Sequence, residues 1–269
     1  MIKTWASALL GMSLLTGATT VQAGPVVPER IAKAGTMVFC TDVGFPPWEL
    51  VDPATQEPVG FDIDIAAALA KVLGVKSEHK NISFDGLIPA LQANQCNAII
   101  SGLYDKPERR AIVDFVHYAI TGDSLIVKAD SPLTISKLTD ASGKKVALGI
   151  GTAGEGELNT ANAELKAAGT PEIVVVPMQT SSEAFQQLSA GLVDAYLGST
   201  DQAAYYNRQK PNMVKLAGPP LFKLDVGVAT LHKDKDLHDA FEAALKQIKD
   251  DGRYDAILKK WGFEELASR

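Results

Sequence analysis

Apolar and polar positions along the chain switch repeatedly between a period of two and a period near four. Short apolar runs predict strands at 36–41, 75–82 and 97–102, and helical spacing predicts helices at 61–73 and 84–94 between them. The same rhythm returns further on, with strands at 145–150, 172–176 and 193–198 and helices at 153–168 and 182–190. Ser181 or Ser182 is the expected N-cap of the last of these. An apolar segment at 224–229 and helices near 236–250 and 254–261 close the chain. Strands that alternate with helices predict an α/β architecture with largely parallel sheets. The two halves also echo each other. Leu91–Gly102 can be laid over Leu188–Ser199, each being a helix end, a tight turn and an apolar strand that finishes in Ser and Gly.

The clearest single element is 60–74. Phe61, Ile65, Leu69 and Val72 make one apolar helical face, Asp62 and Asp64 sit in the first turn where negative charge suits the helix dipole, and Gly74 closes the end. Gly60-Phe61-Asp62-Ile63-Asp64-Ile65 opening an alanine-rich helix resembles the signature of the bacterial extracellular solute-binding proteins of family 3, the amino-acid binders of ABC importers. Arg253–Gly262 resembles that family's closing segment, so the resemblance runs from about Gly35 to Phe263. It implies a two-lobed periplasmic binding protein type II fold, with two crossover segments near 119–123 and 224–228. Lobe 1 would then be 24–118 with 229–269, and lobe 2 would be 124–223.

Lys3, the apolar stretch 6–15 and Val21-Gln22-Ala23 read as a secretory signal peptide over 1–23, with no cysteine at the cleavage site to carry a lipid anchor. The expected location is the periplasm. Beyond the leader, 25 basic residues face 32 acidic ones and form no basic stripe, which argues against nucleic acid or an anionic membrane as partner. His79, His117, His232 and His238 are scattered, so neither a metal site nor a cofactor is indicated. Cys40 and Cys96 invite a disulfide in an oxidising compartment. On parallel neighbouring strands, however, about four residues of offset at ~3.3 Å each would hold them apart, beyond the ~7 Å between Cα atoms that a bridge allows. Two free buried cysteines are expected.

Four places carry candidate chemistry. The loop Asp42-Val43-Gly44-Phe45-Pro46-Pro47-Trp48-Glu49 has two carboxylates and two large aromatics, which would otherwise fold back on the core. The resemblance implies a ligand acid at Asp42 and a stacking ring at Phe45, with Trp48 and Glu49 behind them. Phe84 starts a helix, usually a staple to the core, and by resemblance faces Phe45 across the ligand. In Ser101-Gly102-Leu103-Tyr104-Asp105-Lys106-Pro107-Glu108-Arg109-Arg110, Pro107 suits a first helical position. One of the two arginines is a planar, always charged carboxylate clamp; the resemblance selects Arg109 and leaves Arg110 in solvent. Gly151-Thr152 opens a helix whose free N–H groups suit an anion, although such a turn is by default only an N-cap. Two positions depart from the family pattern. Tyr104 replaces a small hydroxyl residue, and Ser199 stands where an acid for the ligand's ammonium is usual, with Asp201 two residues on. Asp42, Glu49 and Glu155 are then the acids left for a cationic group placed differently.

The resemblance implies a solute-binding protein, a monomer that closes on a carboxylate-bearing solute (an amino acid or derivative) and hands it to a membrane-embedded ABC permease. A cyclohexadienyl dehydratase on the same fold is the alternative, though no motif assigns its general acid. A receptor's sensor domain is disfavoured, as no membrane segment or signalling module follows Arg269.

Overall fold

The computed structural model describes residues 25–268; the predicted leader at 1–23 lies outside the described residues. In chain order the first part supplies helix α1 (Glu29–Ala34), strand β1 (Thr36–Thr41), a small ribbon of β2 (Leu50–Val51) and β3 (Pro58–Val59), and helix α2 (Phe61–Val72). Strand β4 (Lys76–Asn81), helix α3 (Leu87–Gln92), strand β5 (Ala98–Ile99), the helical turn α4 (Pro107–Arg110) and the long strand β6 (Val113–Thr121) follow. The chain then passes into β7 (Asp123–Lys128), β8 (Lys145–Gly149), α5 (Ala153–Ala167), β9 (Val174–Met178), α6 (Ser181–Ser189), β10 (Ala195–Ser199), α7 (Thr200–Gln209) and β11 (Val214–Leu216). It returns in β12 (Leu224–Leu231) and ends with α8 (Lys235–Asp250) and α9 (Arg253–Trp261).

Two five-stranded sheets result, in the orders β4-β1-β5-β12-β6 and β11-β7-β10-β8-β9. In each, one strand runs against the other four: β12 in the first sheet and β7 in the second. These are the two strands by which the chain enters a sheet after crossing. At the crossing β6 and β12 end side by side, Thr121 opposite Leu224. Gly122 lies between β6 and β7, and a Cβ there would sit 1.9 Å from the Phe222 carbonyl oxygen, so only glycine lets the chain through.

The amphipathic stripe of α2 packs as its spacing predicts. Phe61, Ile65 and Leu69 are wholly buried against Leu237, Phe241 and Leu245 of α8, while Val72 lies at the edge. Each such side chain contributes about 1.5–3 kcal/mol. The second lobe has its own core of Leu125, Val146, Leu148, Leu158 and Leu197. The internal echo holds residue by residue. Helices α3 and α6 end at the equivalent Gln92 and Ser189, and β5 and β10 begin at the equivalent Ala98 and Ala195. Between them, Asn94 and Gly191 both take left-handed backbone, φ 55° and 72°.

Several boundaries moved. The N-cap of α6 is Thr180, not Ser181 or Ser182: its hydroxyl accepts from Glu183 N–H, and Glu183 bonds back to complete a capping box. Strands β6, β7 and β11 and helices α1 and α7 lie outside the expected elements; in 113–128 Asp114, His117, Thr121, Gly122, Asp123 and Ser124 break up the apolar positions, so neither period is sustained. Cys40 and Cys96 are not free. They form a disulfide, with Cα atoms 5.6 Å apart. The predicted strand 97–102 is only Ala98–Ile99, and the chain bends before it, so Cys96 does not extend down the sheet away from Cys40 but returns over the same cluster as Leu87 and Leu91. The bridge closes a loop of sequence separation 56. A loop of that length should add roughly 2–4 kcal/mol of stability. A Cys40→Ser/Cys96→Ser double variant is expected to lose that much in urea titration; an unchanged midpoint would mean the thiols are not bridged in solution.

Candidate functional site

The first acid of the α2 signature does not face water. Asp62 is wholly buried, accepts the Gly102 N–H at Oδ2 (2.6 Å) and accepts the Tyr118 hydroxyl at Oδ1 (2.7 Å). Beside it Glu49, also wholly buried, accepts the Ser101 hydroxyl at Oε1 (2.8 Å), and Ser101 Oγ in turn accepts the Asp42 N–H (2.9 Å). Glu49 Oε2 has no hydrogen-bond partner among the described residues. Burial, followed by the neighbouring Asp62 charge, raises the Glu49 carboxyl well above its ordinary range, and burial lifts Asp62 to about 7. Two carboxyls so placed keep a proton at neutral pH. This network holds the Ser101-Gly102 turn at φ 51° for Gly102, where an added Cβ would strike Phe45 Cε1 at 2.6 Å.

Above that turn lies a cavity bordered by residues of both lobes. Arg109, buried to 8% exposure, donates from Nη1 to the Tyr104 carbonyl (2.8 Å) and from Nη2 across the cleft to the Gly151 carbonyl (3.2 Å). Its guanidinium stands 5.4 Å from the Phe84 ring centroid, a cation–π contact. Thr152 is the N-cap of α5, and its hydroxyl donates to the Gly149 carbonyl (2.8 Å). Opposite charge is supplied by two acids. Asp42 is pushed up to about 7 by burial and then by the charges of Asp85 and Glu183. Asp123 is lifted to about 6 by burial, against the Tyr104 hydroxyl that it accepts at 2.6 Å.

Of the residues singled out in the sequence, Asp42, Phe45, Phe84, Gly102, Tyr104, Arg109, Thr152 and Ser199 line this cavity. Ser101 and Trp48 do not. Ser101 turns back into the carboxyl network, and Trp48 is wholly buried, donating from Nε1 to Asp201 Oδ2 at 2.8 Å. Asp201 is itself spent on Trp48, the Thr121 hydroxyl (2.9 Å) and the Ser199 hydroxyl, so it does not reach the cavity. Glu155 accepts the Gly151 N–H at 2.8 Å, and the exposed Arg110 pairs with the buried Asp105. Among the lining residues with polar side chains, Asp123, Gln179, Ser181 and Tyr196 were not expected as ligand contacts. Asp123 had a partial signal, an acid beside Gly122 at the predicted crossover 119–123; the other three had none, since their place depends on how the second lobe packs over the first. Among the described residues no helix is long and apolar enough to cross a membrane, and no group of acids, histidines or cysteines is placed to hold a metal ion.

Residues 37–265 match the model of the bacterial extracellular solute-binding proteins, family 3. The chain belongs to this family. A glutamine-binding protein of an ABC transporter from Bacillus subtilis is 34% identical, with 81% of this chain and 78% of the relative covered. An ancestral arginine-binding protein solved with glutamine superposes with a TM-score of 0.76 at 38% identity, covering 86% of this chain and 99% of that one. An ancestral amino-acid-binding protein described as a precursor of cyclohexadienyl dehydratase superposes with a TM-score of 0.73 at 32% identity, covering 87% and 98%. The two-lobed fold and the transport family expected from the sequence both stand.

The buried acids set the pH response of the ligand-free protein. Asp42 and Asp62 at about 7 and Asp123 at about 6 all lie above the ordinary 3.8, so the folded state holds protons that the unfolded chain has released. Stability should therefore fall as pH rises through that range. His79 works the other way: burial lowers it from 6.5 to about 4, so folding loses stability as pH drops below its unfolded value. The melting temperature of ligand-free protein is expected to be higher at about pH 6.5 than at about pH 8.5, and Asp42→Asn should flatten the slope. A melting temperature that climbs with pH would contradict the protonated carboxyls.

Proposed function

We propose that this chain is a periplasmic solute-binding protein, secreted through a cleaved leader at 1–23, that captures an amino acid between its lobes and delivers it as a monomer to a membrane-embedded ABC permease. The observation that carries the reading is the cavity's charge layout: one buried guanidinium beside a helix N-terminus, faced by two buried carboxyls and walled by Phe45 and Phe84. That layout suits a solute with one carboxylate and more than one cationic group. Relatives named for arginine and glutamine binding support the class. The Cys40–Cys96 bridge supports an oxidising compartment. Closure is assigned to the crossover segments 119–123 and 224–228, with lobe 1 made of 24–118 and 229–269 and lobe 2 of 124–223. We assign the ligand contacts to Asp42, Phe45, Phe84, Gly102, Tyr104, Arg109, Thr152 and Ser199, with Trp48 and Ser101 supporting them from behind.

One observation favours a second reading. Asp42, at about 7 in the cleft, has the protonation a general acid needs, which keeps a dehydratase on the same fold in play. Thermal shift over the common amino acids, run beside assays of prephenate and arogenate consumption, separates the two. A binder at 100 times its dissociation constant adds about 2.7 kcal/mol, whereas consumption of either substrate would make the protein an enzyme. With a bound amino acid in hand, Arg109→Ala is expected to weaken affinity at least tenfold, since hydrogen bonds to a charge are worth roughly 1.5–3 kcal/mol and ~1.4 kcal/mol is a decade. Arg110→Ala should leave affinity nearly unchanged. Equal losses at the two positions would show that the carboxylate clamp lies elsewhere.

A further inference from the structure

Asp123 is buried to 5% exposure and lines the cavity, yet only one of its oxygens is engaged: Oδ1 accepts the Tyr104 hydroxyl, while Oδ2 takes no hydrogen bond from a described residue. That second oxygen is left for whatever occupies the cavity that Asp123 lines. Tyr104 ties this acid to Arg109, because its carbonyl accepts from Arg109 Nη1 while its hydroxyl donates to Asp123. The opposite charges of Arg109 and Asp123 are near enough to act on each other's protonation. The charges acting on Asp42, by contrast, come from Asp85 and Glu183. Tyr104 thus lies between a cation and an anion that both line the cavity. An α-amino acid carries its carboxylate and ammonium on a single carbon, and so offers the complementary pair.

We infer that Asp123 and Tyr104 form the ammonium subsite: the ligand's α-ammonium donates to Asp123 Oδ2 and to the lone pair left on the Tyr104 hydroxyl, while its carboxylate sits on Arg109. Asp42 is then left for the ligand's side chain. The pairing of β7 with β10 sets Asp123 directly opposite Ser199, so both side chains border the same spot and a carboxylate can reach it from either strand. Ser199 is itself occupied with Asp201. This assignment rests on the amino-acid-binding reading above and adds the residues that recognise the amine.

The test compares each amino acid with its des-amino counterpart by titration calorimetry: L-arginine with δ-guanidinovalerate, L-lysine with ε-aminocaproate, L-glutamine with glutaramate. For at least one pair the native protein should favour the amino acid by about tenfold or more, the worth of a charged hydrogen bond. Asp123→Asn should shrink that preference to about threefold or less by weakening the amino acid alone, and Asp123→Ser with Ser199→Asp should bring it back. The unchanged affinity of the des-amino compound shows that the variant is folded. A preference that survives in Asp123→Asn overturns the subsite and leaves the amino-acid-binding reading standing. If none of the amino acids binds the native protein, that reading falls and takes the subsite with it.

Discussion

A carboxyl withdrawn from water at the start of α2 fixes the cleft. Asp62 spends one oxygen on the Gly102 N–H and the other on the Tyr118 hydroxyl, so it joins the signature helix, the turn below the cavity and the long strand β6. Removing it would leave a buried N–H and a buried hydroxyl unpaired, each costing about 1–3 kcal/mol. Because Glu49 lies beside it and holds Ser101, which in turn holds the Asp42 amide, the same acid pair governs where the first aromatic loop sits. The turn below the cavity therefore rests on a carboxyl pair that keeps a proton and on hydroxyls, and the apolar core supports it through Trp48, Phe61 and Phe263.

The lobes meet around that turn through a small set of polar bonds. Trp48 to Asp201, Gln202 to the Pro46 carbonyl, Ser182 N–H to the Gly44 carbonyl and Arg109 to the Gly151 carbonyl each pair a first-lobe group with a second-lobe group. Hydrogen bonds of this kind contribute about 0.5–1.5 kcal/mol apiece, so a ligand that touches both lobes competes with terms of its own size.

Much of this was legible in the sequence because it depends on local pattern. The α2 stripe, Pro107 at the first position of α4 and the helix–turn–strand echo between 91–102 and 188–199 are all set by near neighbours. The division between Arg109, buried, and Arg110, exposed against Asp105, came instead from the family resemblance. What failed depended on contacts distant in sequence. A bend of a few residues before β5 joined two cysteines that straight strands would keep apart. Asp123 was passed over because its meaning comes from Tyr104, nineteen positions away and on the other side of the cleft. Trp48 looked like a ligand ring, but it is the residue that Asp201 holds from the second lobe.

Burial keeps Asp42 and Asp123 partly protonated near neutral pH, and the proposed cationic ligand would drive those protons off. Titration calorimetry of the tightest-binding amino acid, repeated in buffers of different ionisation enthalpy, measures this directly. With Asp42 at about 7 and Asp123 at about 6 in the empty state, binding at about pH 6.5 should release protons to the buffer, and the release should fade towards about pH 8.5. Binding heats that do not depend on the buffer, or proton uptake, would contradict it.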